Sequence, residues 1–212
     1  MKGYLTIKGE FESVTIIERS KFICNVKGIE TEKDAQSYIE EIKKRHAFAT
    51  HGCFAYVADE LGNVSKFSDA GEPQGTAGLP MLNAIKGKDL KKVVAVVTRY
   101  FGGIKLGAGG LVRAYGGSVS GALNEAKIVY MTPAYFIKIS TDYDLYSALL
   151  KIIAQTNASV VSTEYDAKIC VTVAINAEDE KNFESFKQKL ADIYKGTPDF
   201  KILKTEYYQF NV

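Results

Sequence analysis

Thr98–Gly117 reads T-R-Y-F-G-G-I-K-L-G-A-G-G-L-V-R-A-Y-G-G, and it follows the apolar run Val93-Val94-Ala95-Val96-Val97. Leu111, Val112, Ala114 and Ala122 come after it at helical spacing. The order is therefore strand, glycine loop, helix, the arrangement of an α/β domain. Such a turn aims bare backbone N–H groups and the positive end of a helix dipole at one place. Glycine lets the main chain approach a ligand where a Cβ would collide. Arg99 and Arg113 flank the loop, and guanidinium groups pair well with phosphate and carboxylate oxygens. The stretch predicts an anion site built from Arg99, Tyr100, Gly102, Gly103, Lys105, Gly107, Gly109, Gly110 and Arg113. Arg113 is expected to be essential for binding. The spacing is neither that of a P-loop, which needs a following Gly-Lys-Ser/Thr, nor a complete dinucleotide fingerprint. Tight turns and close helix–strand packing would account for the same glycines.

Working outward, Lys91–Tyr100 reads as a buried strand and Gly110–Ala126 as a helix. Its small residues Ala114, Gly117, Ser118, Gly121 and Ala122 are expected to lie against a sheet. Upstream, Tyr4–Lys8, Ser13–Glu18 and Lys21–Val26 read as strands. Thr31 reads as an N-cap with Asp34 three residues on, and Ala35, Tyr38, Ile39 and Ile42 mark the buried face of the helix that follows. Gly52–Ala58 and Asn63–Phe67 read as a strand pair, and Leu79–Ile85 as a short helix.

Between these lies Phe67–Gly78, F-S-D-A-G-E-P-Q-G-T-A-G. Its Asp69 and Glu72 suit three roles: holding Mg²⁺ through water, acting as an acid–base pair, or gripping Arg99 or Arg113. A solvated turn is the plain alternative. Thr76 is placed to cap the next helix. His51 opens the strand H-G-C-F-A-Y-V and could touch a ligand. Cys53 could share its strand face, although its neighbours are core-like. Tyr100, Phe101 and Tyr115 could stack on bases or anchor the strand end.

A boundary falls at Met131-Thr132-Pro133, giving domains 1–131 and 132–212. The second reads β-α-β-β-α-β, with Asp142–Gln155 and Glu178–Tyr194 as helices, Val160–Tyr165 and Lys168–Ile175 as a hairpin, and Phe200–Phe210 as the last strand. It carries no catalytic constellation and reads as a binding or dimerisation module. Its acids Asp142, Asp144, Glu178, Asp179 and Glu180 sit where helix amino ends favour them.

The composition is that of an ordinary globular protein, 46% hydrophobic and 25% charged in 212 residues, with a net charge of +2. Residues 1–131 carry 18 Lys and Arg against 14 Asp and Glu, whereas 132–212 carry 9 against 11. Lys86, Lys88, Lys91, Lys92, Arg99, Lys105 and Arg113 face only Asp89 in residues 86–113, a basic footprint suited to phosphate. Nucleic-acid binding is therefore expected in the first domain. No run approaches the ~18 apolar residues of a membrane helix, and the start lacks a signal-peptide apolar region. Three scattered cysteines and two histidines make a structural zinc site unexpected, and the thiols read as free and buried in a reducing cytoplasm.

The stretches R-S-K-F-I (19–23), A-T-H-G-C-F-A-Y (49–56), S-D-A-G-E-P-Q-G-T-A-G-L-P (68–80) and V-V-T-R-Y-F-G-G-I-K-L-G-A-G-G-L-V-R-A-Y-G (96–116) resemble the IMPACT family, in its bacterial YigZ-like branch. The resemblance implies an N-terminal domain like domain 2 of ribosomal protein S5 and a ferredoxin-like C-terminal domain. It also implies an association with RNA or the ribosome and, from eukaryotic relatives, a protein partner in translation control. Two departures from the bacterial pattern, His51-Gly52 for His-His and Asp69-Ala70 for Asp-Asp, count against a metal. No cofactor is implied. With no complete catalytic set, the reading is a translation-associated binding protein; the alternative is an enzyme acting on a small phosphorylated metabolite.

Overall fold

The structure is a computed structural model that describes residues 1–194 and 198–210. Its elements run β1 (Tyr4–Ile7), β2 (Glu10–Ile17), β3 (Ser20–Gly28), α1 (Glu32–Arg45), β4 (His51–Val57), β5 (Ser65–Ser68), α2 (Gly78–Gly87), β6 (Val93–Tyr100), α3 (Gly107–Glu125), β7 (Ile128–Thr141), α4 (Tyr146–Gln155), β8 (Ser159–Tyr165), β9 (Ile169–Asn176), α5 (Glu180–Tyr194) and β10 (Phe200–Tyr208). The chain divides into two compact units. One is Tyr4–Tyr130, and the other joins Met1–Gly3 to the chain from Met131 onward.

In the first unit five strands form a sheet in the order β2-β3-β6-β4-β5, each neighbour antiparallel. The apolar run of β6 explains its place at the centre. Val93, Ala95 and Val97 face α2 and α3, whereas Val94 and Val96 face α1, so both faces of the strand are covered. Helix α1 buries Ala35, Tyr38, Ile39 and Ile42 as its periodicity predicts. Thr31 and Asp34 close a reciprocal capping box at its amino end.

The α3 helix begins at Gly107 rather than Gly110, so the loop shrinks to Phe101–Leu106 and three of its expected glycines become the first helical turn. The buried side is Leu111, Ala114, Tyr115, Ser118, Val119, Ala122 and Leu123. Gly117 and Gly121 are not part of it: a Cβ on either would meet nothing within 4 Å. Ala114, Ser118 and Ala122 lie on the buried side as expected, and the large Tyr115 takes the middle of that side.

The second unit is an antiparallel sheet ordered β10-β7-β9-β8. Leu149, Ile152 and Ile153 of α4 and Phe186 and Leu190 of α5 pack on one face with Ile137, Ile139, Val171, Val173 and Ile175. The helices are shorter than expected, and Asp142 and Asp144 lie in the turn before α4. Strand β7 runs unbroken through Met131-Thr132-Pro133, so those residues are sheet and not linker. Pro133 is tolerated because its carbonyl still bonds to the Ala177 N–H at 2.8 Å. Among the described residues, no helix is long and apolar enough to cross a membrane.

Candidate functional site

The site lies where the carboxyl end of β6 meets the amino end of α3. Arg99 is the last buried side chain of β6, only 5% exposed. Its Nη1 donates to Glu72 Oε1 at 2.7 Å, and its Nη2 donates to Ser20 Oγ at 3.4 Å. The same Glu72 oxygen accepts the Tyr115 hydroxyl at 2.8 Å. The guanidinium carbon lies 5.4 Å from the ring centroids of both Phe22 and Phe101. An ion pair this deep persists only when the remaining polar atoms are satisfied. Here one is not: Arg99 Nε is buried and has no hydrogen-bond partner among the described residues.

The carboxylate is held by the loop between β5 and α2. Asp69 accepts the N–H of Gly75, Ala77 and Gly78 at 2.8–2.9 Å. Burial pushes its pKa up, but these three backbone donors outweigh that and hold it below the usual value. Asp69 therefore shapes the loop and caps α2. Thr76 does not: its hydroxyl donates to the Pro73 carbonyl at 2.6 Å, and the N-cap position falls on Ala77. A Cβ on Gly78 would stand 2.8 Å from the Ser68 backbone, so the loop can close on β5 only through glycine.

A cleft of about 430 Å³ opens over this pair. Thr50, His51, Glu72, Pro73 and Arg99 line one part, and Phe101, Lys105, Leu106, Gly107, Ala108 and Leu111 line the rest. The α3 amino end borders it with no side-chain cap and no acid in the first turn, leaving backbone N–H groups free. Gly107 stands there at φ +69°, where side chains are disfavoured. His51 Nδ1 lies 3.0 Å from the Ala70 carbonyl, which can only accept, so that nitrogen carries the proton. Its Nε2 then faces Glu72 Oε2 at 3.9 Å.

Of the residues expected from sequence, His51, Glu72, Arg99, Lys105 and Gly107 meet in the cleft. The others go elsewhere. Tyr100 turns its hydroxyl to His46 Nδ1 at 3.1 Å. Gly102 lies against β3, where a Cβ would be 2.1 Å from the Arg19 carbonyl, and its N–H bonds to Ser20 Oγ. Gly103, Gly109 and Gly110 are not on the cleft wall. Arg113 leaves α3 on its exposed side, two residues past inward-facing Leu111. Arg113 does not line the cleft beside Arg99, although its Nη1 reaches back over the first turn of α3, 3.7 Å from where a Gly109 Cβ would stand. The basic footprint is also partly spent: Lys91 bonds to Asp89 at 2.7 Å and Lys92 to Glu30 at 3.2 Å. Lys86 lies in the last turn of α2, where a cation favours the helix.

Ser20, Thr50, Pro73, Leu106 and Ala108 were not singled out from sequence as site residues. All five stand inside the motifs 19–23, 49–56, 68–80 and 96–116, and that is the signal the sequence offers. Tyr115 was read as a possible stacking residue and is instead a buried donor to Glu72. Burial first, then Cys53 and Glu72, raise its pKa, so it stays neutral. Cys53 donates its thiol to the Asp69 carbonyl at 2.9 Å, and burial pushes its pKa up to about 12. That is far from a nucleophile. Ellman's reagent at pH 8 is expected to label only half-buried Cys170 in the native protein, and Cys24 and Cys53 only after denaturation. Rapid native labelling of Cys53 would contradict its burial. Among the described residues, no three His, Cys, Asp or Glu side chains are placed to hold a metal ion.

The family model described as the Impact N-terminal domain matches residues 18–123, a span that contains every residue of the cleft. The chain is 39% identical over 201 residues to the IMPACT family member YvyE of Bacillus subtilis, covering 95% of this chain and 91% of that protein. The chain belongs to the IMPACT family. The family member YigZ of Escherichia coli is 33% identical over 199 residues, covering 93% and 96%. Likeness to both supports the family as a whole and does not single out the YigZ-like branch. A model described as a domain of unknown function, DUF1949, matches residues 139–197. A solved structure described as that of a hypothetical protein superposes with a TM-score of 0.61 at 32% identity, covering 96% of this chain and 98% of that one.

Proposed function

We propose that this IMPACT family member is a cytoplasmic, translation-associated binding protein that takes a phosphate group of RNA or the ribosome into the cleft of the first unit. The observation that carries the reading is Arg99. It is buried, fixed by Glu72, unpartnered at Nε, and beside the uncapped amino end of α3. A helix amino end and a desolvated guanidinium both select an anion. Lys105, exposed at the rim, adds attraction in water. The translation setting is what the resemblance to eukaryotic relatives implies. Within the same reading, residues 1–131 are a module like domain 2 of ribosomal protein S5 that binds the anion. Residues 132–212 are a ferredoxin-like module, a reading its strand order and single helical face support.

The cleft admits one or two phosphates, not a tracked backbone. Binding of a 5′-phosphorylated RNA decamer, followed by fluorescence anisotropy, should show a log–log salt slope of about −0.7 to −1.4. Lys105→Ala should weaken it several-fold and Arg113→Ala should change it little, both in stably folded protein. A slope corresponding to six or more phosphates, or equal loss in the two variants, would place the contact outside the cleft.

A second reading has its own observation. His51, oriented by the Ala70 carbonyl, and Glu72, 3.9 Å from it, border the same cleft, so an imidazole and a carboxylate are both within reach of a hydroxyl bound there. That arrangement favours an enzyme acting on a small phosphorylated metabolite. His51→Gln would abolish such turnover while sparing binding.

A further inference from the structure

We propose that the group entering this cleft is a nucleotide, with its base stacked on the ring of Phe101; the proposal rests on the phosphate reading above. Phe101 is one of several exposed large apolar side chains of the first unit, but the other exposed phenylalanines there, Phe48 and Phe67, do not line this cleft. Phe101 lines it and is 45% exposed. A phenyl ring that only anchored the strand end would be buried, as Phe22 is on the other side of the same guanidinium.

The main chain beneath the ring is held in place. The Phe101 N–H donates to Thr50 Oγ1 at 3.1 Å, and the Thr50 N–H donates to the Arg99 carbonyl at 2.9 Å. The Arg99 guanidinium, itself locked by Glu72 and Ser20, lies 5.4 Å from the ring centroid. The main chain that carries the ring is therefore fixed before a ligand arrives, which lowers the ordering cost of stacking.

The rest of the cleft fits a flat apolar group next to an anion. Pro73, Leu106, Ala108 and Leu111 supply apolar wall, and charge is confined to Arg99, Lys105 and Glu72. A sugar phosphate has no flat apolar part. An alkyl phosphate has no π face. A nucleoside monophosphate has both the anion and the face, and stacking of a base on an aromatic residue adds roughly 10- to 100-fold in affinity. A free nucleotide and the phosphorylated end of an RNA share this chemistry.

The chain contains no tryptophan, so Phe101→Trp installs a single tryptophan at the platform, which can be excited selectively beside the tyrosines. AMP is expected to quench its emission, whereas ribose 5-phosphate and adenosine should need at least tenfold higher concentrations. In calorimetry, Phe101→Ala should weaken AMP at least tenfold and leave ribose 5-phosphate unchanged, with thermal unfolding confirming that the exposed site tolerates the change. A 5′-phosphorylated RNA tetramer titrated beside AMP separates the two sources: tighter tetramer binding assigns an RNA end, and equal binding assigns the free nucleotide. If ribose 5-phosphate binds the unaltered protein as tightly as AMP, or Phe101→Ala leaves AMP unaffected, the stacking proposal fails while the phosphate reading stands. If none of the phosphate compounds binds, both fall.

Discussion

Replacing Glu72 by alanine is expected to destabilise the first unit by about 3–5 kcal/mol, the cost of leaving a buried charge without its partner. Arg99 would keep only Ser20 at 3.4 Å, and Tyr115 would lose the acceptor of its hydroxyl. Two controls separate the causes. Tyr115→Phe removes one donor and no charge, so about 1 kcal/mol is expected. Glu72→Gln keeps the shape and an acceptor oxygen, and it should fall between. Chemical denaturation of the three variants checks the order. Equal stability of Glu72→Ala and the unaltered protein would mean that water reaches Arg99 and that the guanidinium is not desolvated. The anion proposal would then lose its main support.

Asp69→Ala is the second large effect, at about 2–4 kcal/mol, because three backbone donors and the amino end of α2 lose one carboxylate. It should also alter the pH dependence. The folded-state pKa of Asp69 lies below its unfolded value of about 3.9. Its contribution is therefore complete above the unfolded value and fades as pH falls through the folded one. The difference in Tm between Asp69→Ala and the unaltered protein should be constant from pH 5 to 7 and narrow below pH 4. A difference that persists undiminished at pH 2 would show that the aspartate acts through packing and not through its charge.

Local pattern made much of the architecture readable. Ala35, Tyr38, Ile39 and Ile42 repeat at helical spacing, and the valines of β6 can be buried on both faces only in a central strand. The second unit was readable for the same reason, since each of its elements carries its own apolar stripe. The two units divide at Met131, inside the stretch Met131-Thr132-Pro133, yet β7 crosses it as one strand; proline is a local signal for a break, and only the pairing partners of β7 show that the strand continues. The site was harder to read. Arg99 and Glu72 are 27 residues apart, and nothing local says which of Asp69 and Glu72 faces the arginine. Asp69 looked equally suited to chemistry, but its neighbours' N–H groups claim it. Arg113 could have been placed correctly. The inward face of α3 follows from Leu111, Ala114, Tyr115 and Ser118, and it leaves Arg113 outside.

Met1–Gly3 belongs to the second unit. The Gly3 N–H donates to Glu178 Oε1 at 2.9 Å, and the Tyr207 hydroxyl donates to the Lys2 carbonyl at 3.2 Å. These contacts join residues 175 and 205 positions apart. During synthesis the first residues therefore emerge long before their partners exist, while the intervening unit has all its strands and helices in hand. The Tyr207 contact can form only after β10 has left the ribosome, so residues made before the whole intervening unit reach their native place after it. A change in Met1–Gly3, or their loss in a fragment cut at residue 131, acts on the second unit even though the whole of the first unit separates the two in sequence.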